Sequence, residues 1–373
     1  MKKIFFMALC LAAAACTSVK EVELIPASSF ETEVDGKQVS LYTLAAGDLT
    51  MQVTNFGGRV VTLWTPDKDG NYEDIVLGYN NIETYLNNPG ERFLGAVVGP
   101  YANRIANGTY TIGEETYTFP QNNNGQTLHG GLKGLDLVVW DVEEVTDSTL
   151  VLSYLHEDGA EGMPGNLKIV MTYALTSDNE FKVDYLAETD KSTHVNISHH
   201  SFFNLKGEGN GTINDHILYI NASNTTPVNA ALIPSGEIAD VTGTPFDFRQ
   251  AKAIGQDLEV ENEQLANGGG YDHNWILDRQ TADQMELAAS VYEPASGRFM
   301  EVYTDQPALQ FYGGNFFDGT TEGKYGKALR YRESMALETQ KYPDTPNHSN
   351  FPSTLLNPGE TYTHSCVYRF SVK

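Results

Sequence analysis

Cysteine is scarce in this 373-residue chain, which has only Cys10, Cys16 and Cys366. No two of them share a metal-ligand spacing, so a cysteine-built zinc site is excluded. Positive charge is scarce too: 24 Lys and Arg stand against 49 Asp and Glu, a formal net charge of −25. Binding a phosphate backbone needs a basic footprint, so nucleic acid is excluded as a partner. The same balance argues against docking on an anionic membrane surface and against a phosphorylated substrate. Long apolar runs are missing apart from residues 4–15, which are too few to span a bilayer. Long helical periodicity is missing, and so is the strand–helix alternation that would build a parallel sheet.

The short apolar run follows Lys2 and Lys3 and reads as a signal peptide, residues 1–15. Small residues Ala13, Ala14 and Ala15 precede Cys16, a pattern that resembles a bacterial lipobox with Cys16 as the lipidated first residue. The expectation is a lipid-anchored protein of the outer membrane facing the periplasm, with a cell-surface orientation left open. It touches the membrane only through that anchor. Residues 16–30 read as a tether and 31–373 as the folded domain. With Cys10 removed and Cys16 lipidated, Cys366 stands alone, so no intramolecular disulfide is expected despite an oxidising compartment. Cys366 lies in an alternating run and reads as a small buried hydrophobe.

What is present is period-2 patterning. Leu167, Ile169, Met171 and Tyr173 alternate with less apolar neighbours; so do Phe181, Val183 and Tyr185, and Tyr362, His364, Cys366, Tyr368 and Phe370. Asp69-Gly70, Asn107-Gly108, Asn124-Gly125 and Pro358-Gly359 supply turn signals between such runs. Short helices are expected only near residues 80–87 and 281–288. Together with 40% hydrophobic residues, the pattern predicts a large antiparallel β-sandwich in one domain.

Five segments are polar where a plain β-domain has no need of it: Tyr101-Ala102-Asn103-Arg104-Ile105, Leu128-His129-Gly130-Gly131, His199-His200-Ser201-Phe202-Phe203-Asn204-Leu205, Tyr271-Asp272-His273-Asn274, and the stretch from Leu337 to Gly359 that contains Glu338. Each alone has a bland reading as a turn, a surface pair or a solvated strand residue. His199 and His200 are adjacent on a strand, so only one of them faces a given site. The glycine runs at 207–211 and 268–270 lack the strand–helix setting of a nucleotide loop. No EF-hand spacing occurs, although the many carboxylates leave a structural Ca²⁺ open.

Taken together, and with Gln310-Phe311-Tyr312, these segments resemble the aldose 1-epimerase (galactose mutarotase) family from about residue 30 to the C-terminus. The resemblance implies the family's β-supersandwich and a cofactor-independent isomerase acting on free hexoses such as galactose or glucose. It implies Glu338 as general base and His200 as general acid. Arg104, His129 and Asp272 would hold the sugar hydroxyls, with Asn103 and Gln310 as further contacts. A monomer is expected. Two departures, His199 and Pro100, stand where the family usually has other residues, and are read as possible changes in substrate preference.

The residue types suit the chemistry. Opening a hemiacetal ring removes a proton from the C1 hydroxyl and delivers one to the ring oxygen, so one base and one acid suffice, expected on opposite sides of the C1–O5 unit. A carboxylate and an imidazole serve these roles near neutral pH, while Arg donors and Asp acceptors hold hydroxyls. Three rivals remain: an epimerase for a phosphorylated hexose, which would need a basic cluster; a non-catalytic sugar-binding lipoprotein; and a glycoside hydrolase using Asp272 and Glu338. For the anchor, Cys16→Ser is expected to move the protein out of the membrane fraction or leave it unprocessed; identical fractionation of both forms would rule the lipid out.

Overall fold

The computed structural model describes residues 22–87 and 90–373. The lipidation candidate Cys16 and the signal segment lie outside these residues. Among the described residues no helix is long and apolar enough to cross a membrane.

The strands pair antiparallel, with one isolated parallel bridge between Tyr101 and Asn196. A nine-stranded sheet runs in the order 141–145, 149–156, 167–175, 180–189, 362–372, 298–304, 286–292, 217–220, 252–253. A six-stranded sheet runs in the order 202–203, 335–340, 308–312, 272–276, 224–226, 239–240, and a four-stranded meander covers 41–74. The predicted runs become strands Leu167–Leu175, Glu180–Thr189 and Tyr362–Val372. In each, the apolar residues named above are buried while their neighbours, Glu180 excepted, are not, as expected where one sheet face covers a core. The main core joins all three sheets: Met51, Met171, Val183, Phe311, Leu337 and Tyr368 belong to one contiguous cluster. Cys366 is free and buried in it, and burial pushes its thiol up to about 12.

Three expectations change. The helix at Ile82–Asn87 forms, but 281–288 does not: its second half enters strand Glu286–Tyr292, paired on both sides. Tertiary pairing overrides the helical preference of Leu287, Ala288 and Ala289 there. A helix forms instead at Glu263–Gly268, where the Asn262 side chain accepts from the N–H groups of Gln264 and Leu265 and Gly269 closes the end at φ 63°.

The third correction concerns the tether. Ile25 is buried, and its backbone is gripped by Gln52, which accepts from Ile25 N at 2.9 Å and donates to Ile25 O at 2.9 Å. After a 3₁₀ turn at Ala27–Ser29, Phe30 is fully buried against Tyr85. Ile25–Phe30 therefore pack as part of the domain, inside the expected tether of residues 16–30. Phe30→Ala should lower unfolding free energy by about 3–5 kcal/mol. A denaturant titration showing no loss would mean that the segment is unpacked after all.

Candidate active site

The six-stranded sheet sets out the site by its register. Glu338 stands opposite Gln310, and Gln310 opposite Asn274; two residues along, Ala336 stands opposite Tyr312, and Tyr312 opposite Asp272. Residues two apart share a face, so Glu338, Gln310, Tyr312 and Asp272 lie on one face. The intervening Leu337, Phe311, Leu309 and Trp275 belong to the core cluster. Gln310 Nε2 donates to Asp272 Oδ1 at 2.7 Å and fixes that carboxylate.

His200 arrives from strand Ser198–His200, where it stands opposite Ala96. Its neighbour His199 points the other way, into the core, held by Tyr173 OH at 3.1 Å and Ser201 Oγ at 2.6 Å. The His199 departure is therefore a packing feature that does not line the cavity. Pro100, the other departure, is absent from the cavity lining as well.

Two loops supply the remaining groups. Asn103 and His129 both adopt left-handed backbone (φ 62° and 51°) and bond reciprocally. His129 N donates to Asn103 O at 3.0 Å, and Asn103 N donates to His129 Nδ1 at 3.0 Å. Because Nδ1 accepts, the neutral ring carries its proton on Nε2 and presents a donor. The glycine after it is obligatory: a Cβ at Gly130 would lie 2.0 Å from Gly99 O. Arg104 is steadied by Asn123 Oδ1 at 3.4 Å and faces Asp272 Oδ2 at 4.0 Å. The motif beyond Glu338 braces this loop from behind: Asp344 N donates to Arg104 O at 3.0 Å, and Asp344 Oδ1 accepts from Ala106 N at 2.9 Å.

These groups converge on a cavity of about 320 Å³ whose lining includes Asn103, Arg104, His129, His200, Asp272 and Glu338. That volume is at the small end of ligand pockets (about 300–1,000 Å³) and fits a monosaccharide. Gln310 lies one step back, bonded to Asp272. His200 Nε2 lies 3.4 Å from Glu338 Oε1. The two groups expected to act as acid and base thus stand side by side, in direct contact. The His129 and His200 rings stand perpendicular at 5.2 Å, and Phe93 packs 4.7 Å from His129 and 6.0 Å from His200.

Glu91, Arg92, Phe93, Asn122, Phe202, Tyr312 and Phe316 also line the cavity, and sequence reasoning did not single them out as site residues. Asn122 rebuilds the His129 loop by accepting from Leu128 N and donating to Leu128 O and Gly131 O.

Burial sets the electrostatics. It pushes Glu338 well above the usual carboxylate range, with the nearby Asp272 charge adding to the rise and Arg104 opposing it. It pushes His200 down to about 3 and His129 well below the ordinary imidazole value. Burial thus disfavours the charged form of both His200 and Glu338. His129, His200 and Glu338 bring potential metal donors within 4.8 Å of one another. A cation on His129 Nε2 would require the proton to move to Nδ1, against the Asn103 N–H that points there, so the donor set fits a hydroxyl better than a metal.

The sandwich and this cavity define an acid–base enzyme for a small polyhydroxylated ligand. The description "Aldose 1-epimerase" matches residues 40–369. The chain is 40% identical over 334 residues to the galactose mutarotase of Bos taurus, covering 90% of this chain and 94% of that protein. It is 36% identical over 340 residues to the aldose 1-epimerase of Escherichia coli K12, covering 90% and 96%. The crystal structure of the GalM/aldose epimerase homologue from C. elegans superposes with a TM-score of 0.81 at 28% identity, covering 90% and 99%. The chain belongs to the aldose 1-epimerase family.

Arg104→Ala and His129→Asn should weaken binding and turnover together, because both groups face the cavity; asparagine tolerates the left-handed backbone at 129. If the folded variants keep their kcat and KM and lose only thermal stability, the two residues are scaffolding.

Proposed function

We propose that this enzyme interconverts the α and β anomers of free hexoses such as galactose and glucose through the single proton shared by Glu338 and His200. The observation that carries the reading is their 3.4 Å contact inside a cavity lined by hydroxyl-binding groups. Transfer of that proton from Glu338 to His200 gives the reactive form. Glu338 then takes the proton of the C1 hydroxyl, the C1–O5 bond breaks as the C1 carbonyl forms, and His200 protonates O5. After rotation about C1–C2 the steps run in reverse and the ring closes on the other face. Arg104, neutral His129 and the Gln310-held Asp272 orient the hydroxyls, with Asn103 fixing the His129 ring. This proton chemistry calls on no redox cofactor.

A phosphorylated hexose is the weaker reading. Of the two arginines in the lining, Arg92 is already closed on Asp136 by bonds of 2.6 and 2.9 Å. We also propose that the enzyme acts as a monomer anchored through Cys16 to the outer membrane on its periplasmic side. The N-terminal sequence alone supports the anchor.

Polarimetry of freshly dissolved α-galactose and α-glucose tests the activity. Glu338→Gln and His200→Asn should each lower the catalysed rate by about 10²–10⁴-fold, with far smaller changes in affinity, because proton transfer belongs to the transition state. Wild-type rates retained in either variant would remove that residue from the mechanism.

The pH profile is a second test. Activity requires one proton in the pair, so it falls where His200 gains a second proton and where Glu338 loses the last. With His200 lowered to about 3 and Glu338 raised, the acid limb should fall well below pH 6 and the alkaline limb above the ordinary carboxylate range. An acid limb near the ordinary imidazole value would contradict this protonation scheme.

A further inference from the structure

Three of the chain segments that build the site are joined by one side chain that lies outside the cavity. Asn196 is fully buried and stands just before strand Ser198–His200, which carries His200. Its backbone pairs with the loop that carries Asn103 and Arg104: Asn196 N donates to Pro100 O at 2.9 Å, and Asn196 O accepts from Ala102 N. Its side chain reaches the chain beyond Glu338. Asn196 Oδ1 accepts from Lys341 N at 2.9 Å, while Nδ2 donates to Ala102 O at 3.2 Å and to Lys341 O at 3.4 Å. Both donors of the amide and its acceptor are thus spent on main-chain groups. Strand Met335–Gln340 runs directly into Lys341, so this one amide fixes the Glu338 strand against the Arg104 loop, with His200 carried on the same main chain as the amide. Asn196 is itself held on both flanks. Val195 and Ile197 are fully buried in the main core, and Ile197 N donates to Tyr362 OH at 3.2 Å. Asn196 is absent from the cavity lining, so it reaches the ligand only through the groups it holds.

We propose that Asn196 is a positioning residue: it holds the sugar-binding loop in register with the Glu338–His200 pair, so that the C1–O5 unit of the bound hexose meets the proton-transfer groups. The proposal rests on the anomer-interconversion reading above. Arg104 and the Asn103–His129 clamp orient hydroxyls, while Glu338 and His200 move protons. Orientation by the first set serves the second only if the spacing between them is fixed, and a misplacement of about 1 Å can cost about 10²-fold in rate. Truncating the Asn196 side chain would leave Lys341 N without this acceptor and free the loop to shift against the Glu338 strand.

Polarimetry of galactose mutarotation, with uncatalysed rates subtracted, tests it alongside thermal unfolding of the same preparations. Asn196→Ala should lower kcat at least about tenfold and change KM far less, because the bound sugar is misaimed rather than lost. Asn204→Ala is the matched control. Asn204 is equally buried, donates to Gly211 O and Glu333 O at 2.8 Å each, and lies outside the cavity lining. Its truncation should lower Tm comparably and leave kcat at the wild-type level. In an Arg104→Ala background, where the loop no longer aims the sugar, Asn196→Ala should cost no more than about a further twofold. If Asn196→Ala does not fold, Asn196→Ser, which leaves a smaller void, takes its place throughout. The proposal is overturned if the folded Asn196 variant keeps the wild-type kcat, if Asn204→Ala lowers kcat as far, or if the Asn196 effect multiplies in full with that of Arg104→Ala. Absence of any catalysed galactose mutarotation in the wild type is a separate outcome, which would overturn the underlying activity and this proposal with it.

Discussion

The cross-strand register of the six-stranded sheet is the constraint on which the site depends. Because Glu338 stands opposite Gln310 and Tyr312 opposite Asp272, one face of three adjacent strands presents the Glu338 carboxyl, the Gln310 amide and the Asp272 carboxyl together. A slip of one residue would turn every one of them into the core and bring Leu337 and Phe311 into the cavity. The apolar face prevents this slip. Leu337, Phe311, Leu309 and Trp275 are each essentially fully buried in the main cluster, so the packing that stabilises the sandwich is also what aims its polar residues. Fold and function are set by the two faces of the same strands.

On that frame the loops contribute orientation and the burial contributes proton affinity. The Asn103–His129 clamp decides which ring nitrogen carries hydrogen, and it does so through backbone groups that do not titrate. The same low-dielectric surroundings move Glu338 and His200 in opposite directions. Both shifts favour the neutral forms of two groups that lie 3.4 Å apart. Donor orientation and proton affinity are thus set by different parts of the chain.

Much of this was legible in the sequence, and the parts that were not have physical reasons. The long strands announced themselves because each buries one face, and alternation is a local signal. The seven candidate site residues were singled out through their motifs, and the structure brings six of them to the cavity wall and the seventh, Gln310, directly behind Asp272. Glu91, Phe93 and Phe316 were missed because nothing in their neighbours marks them; only the folded chain puts them beside His200 and Tyr312. The side-by-side arrangement of His200 and Glu338 was also invisible, since it depends on how two different sheets approach. The failures at 281–288 and at residues 25–30 share a cause. Ala288 and Ala289 are drawn into a strand by partners far along the chain, and Ile25 is held by the side chain of Gln52. Local preference carries no record of either contact.

The strand Tyr362–Val372 has a consequence for how the chain is assembled. It lies in the middle of the nine-stranded sheet, with Glu180–Thr189 on one side and Arg298–Thr304 on the other. The strands before it in sequence therefore form two separate groups, 141–189 and 217–304, that meet only through it. A nascent chain emerging in order can build each group but cannot join them until this stretch is free to insert as a wedge. Until then two long open edges, with unpaired N–H and C=O groups, face each other without a bridge. Closure is thus a late, non-local event, and a chain stopped short of residue 362 would be left as two half-sheets with the cavity-bearing layer packed against a seam.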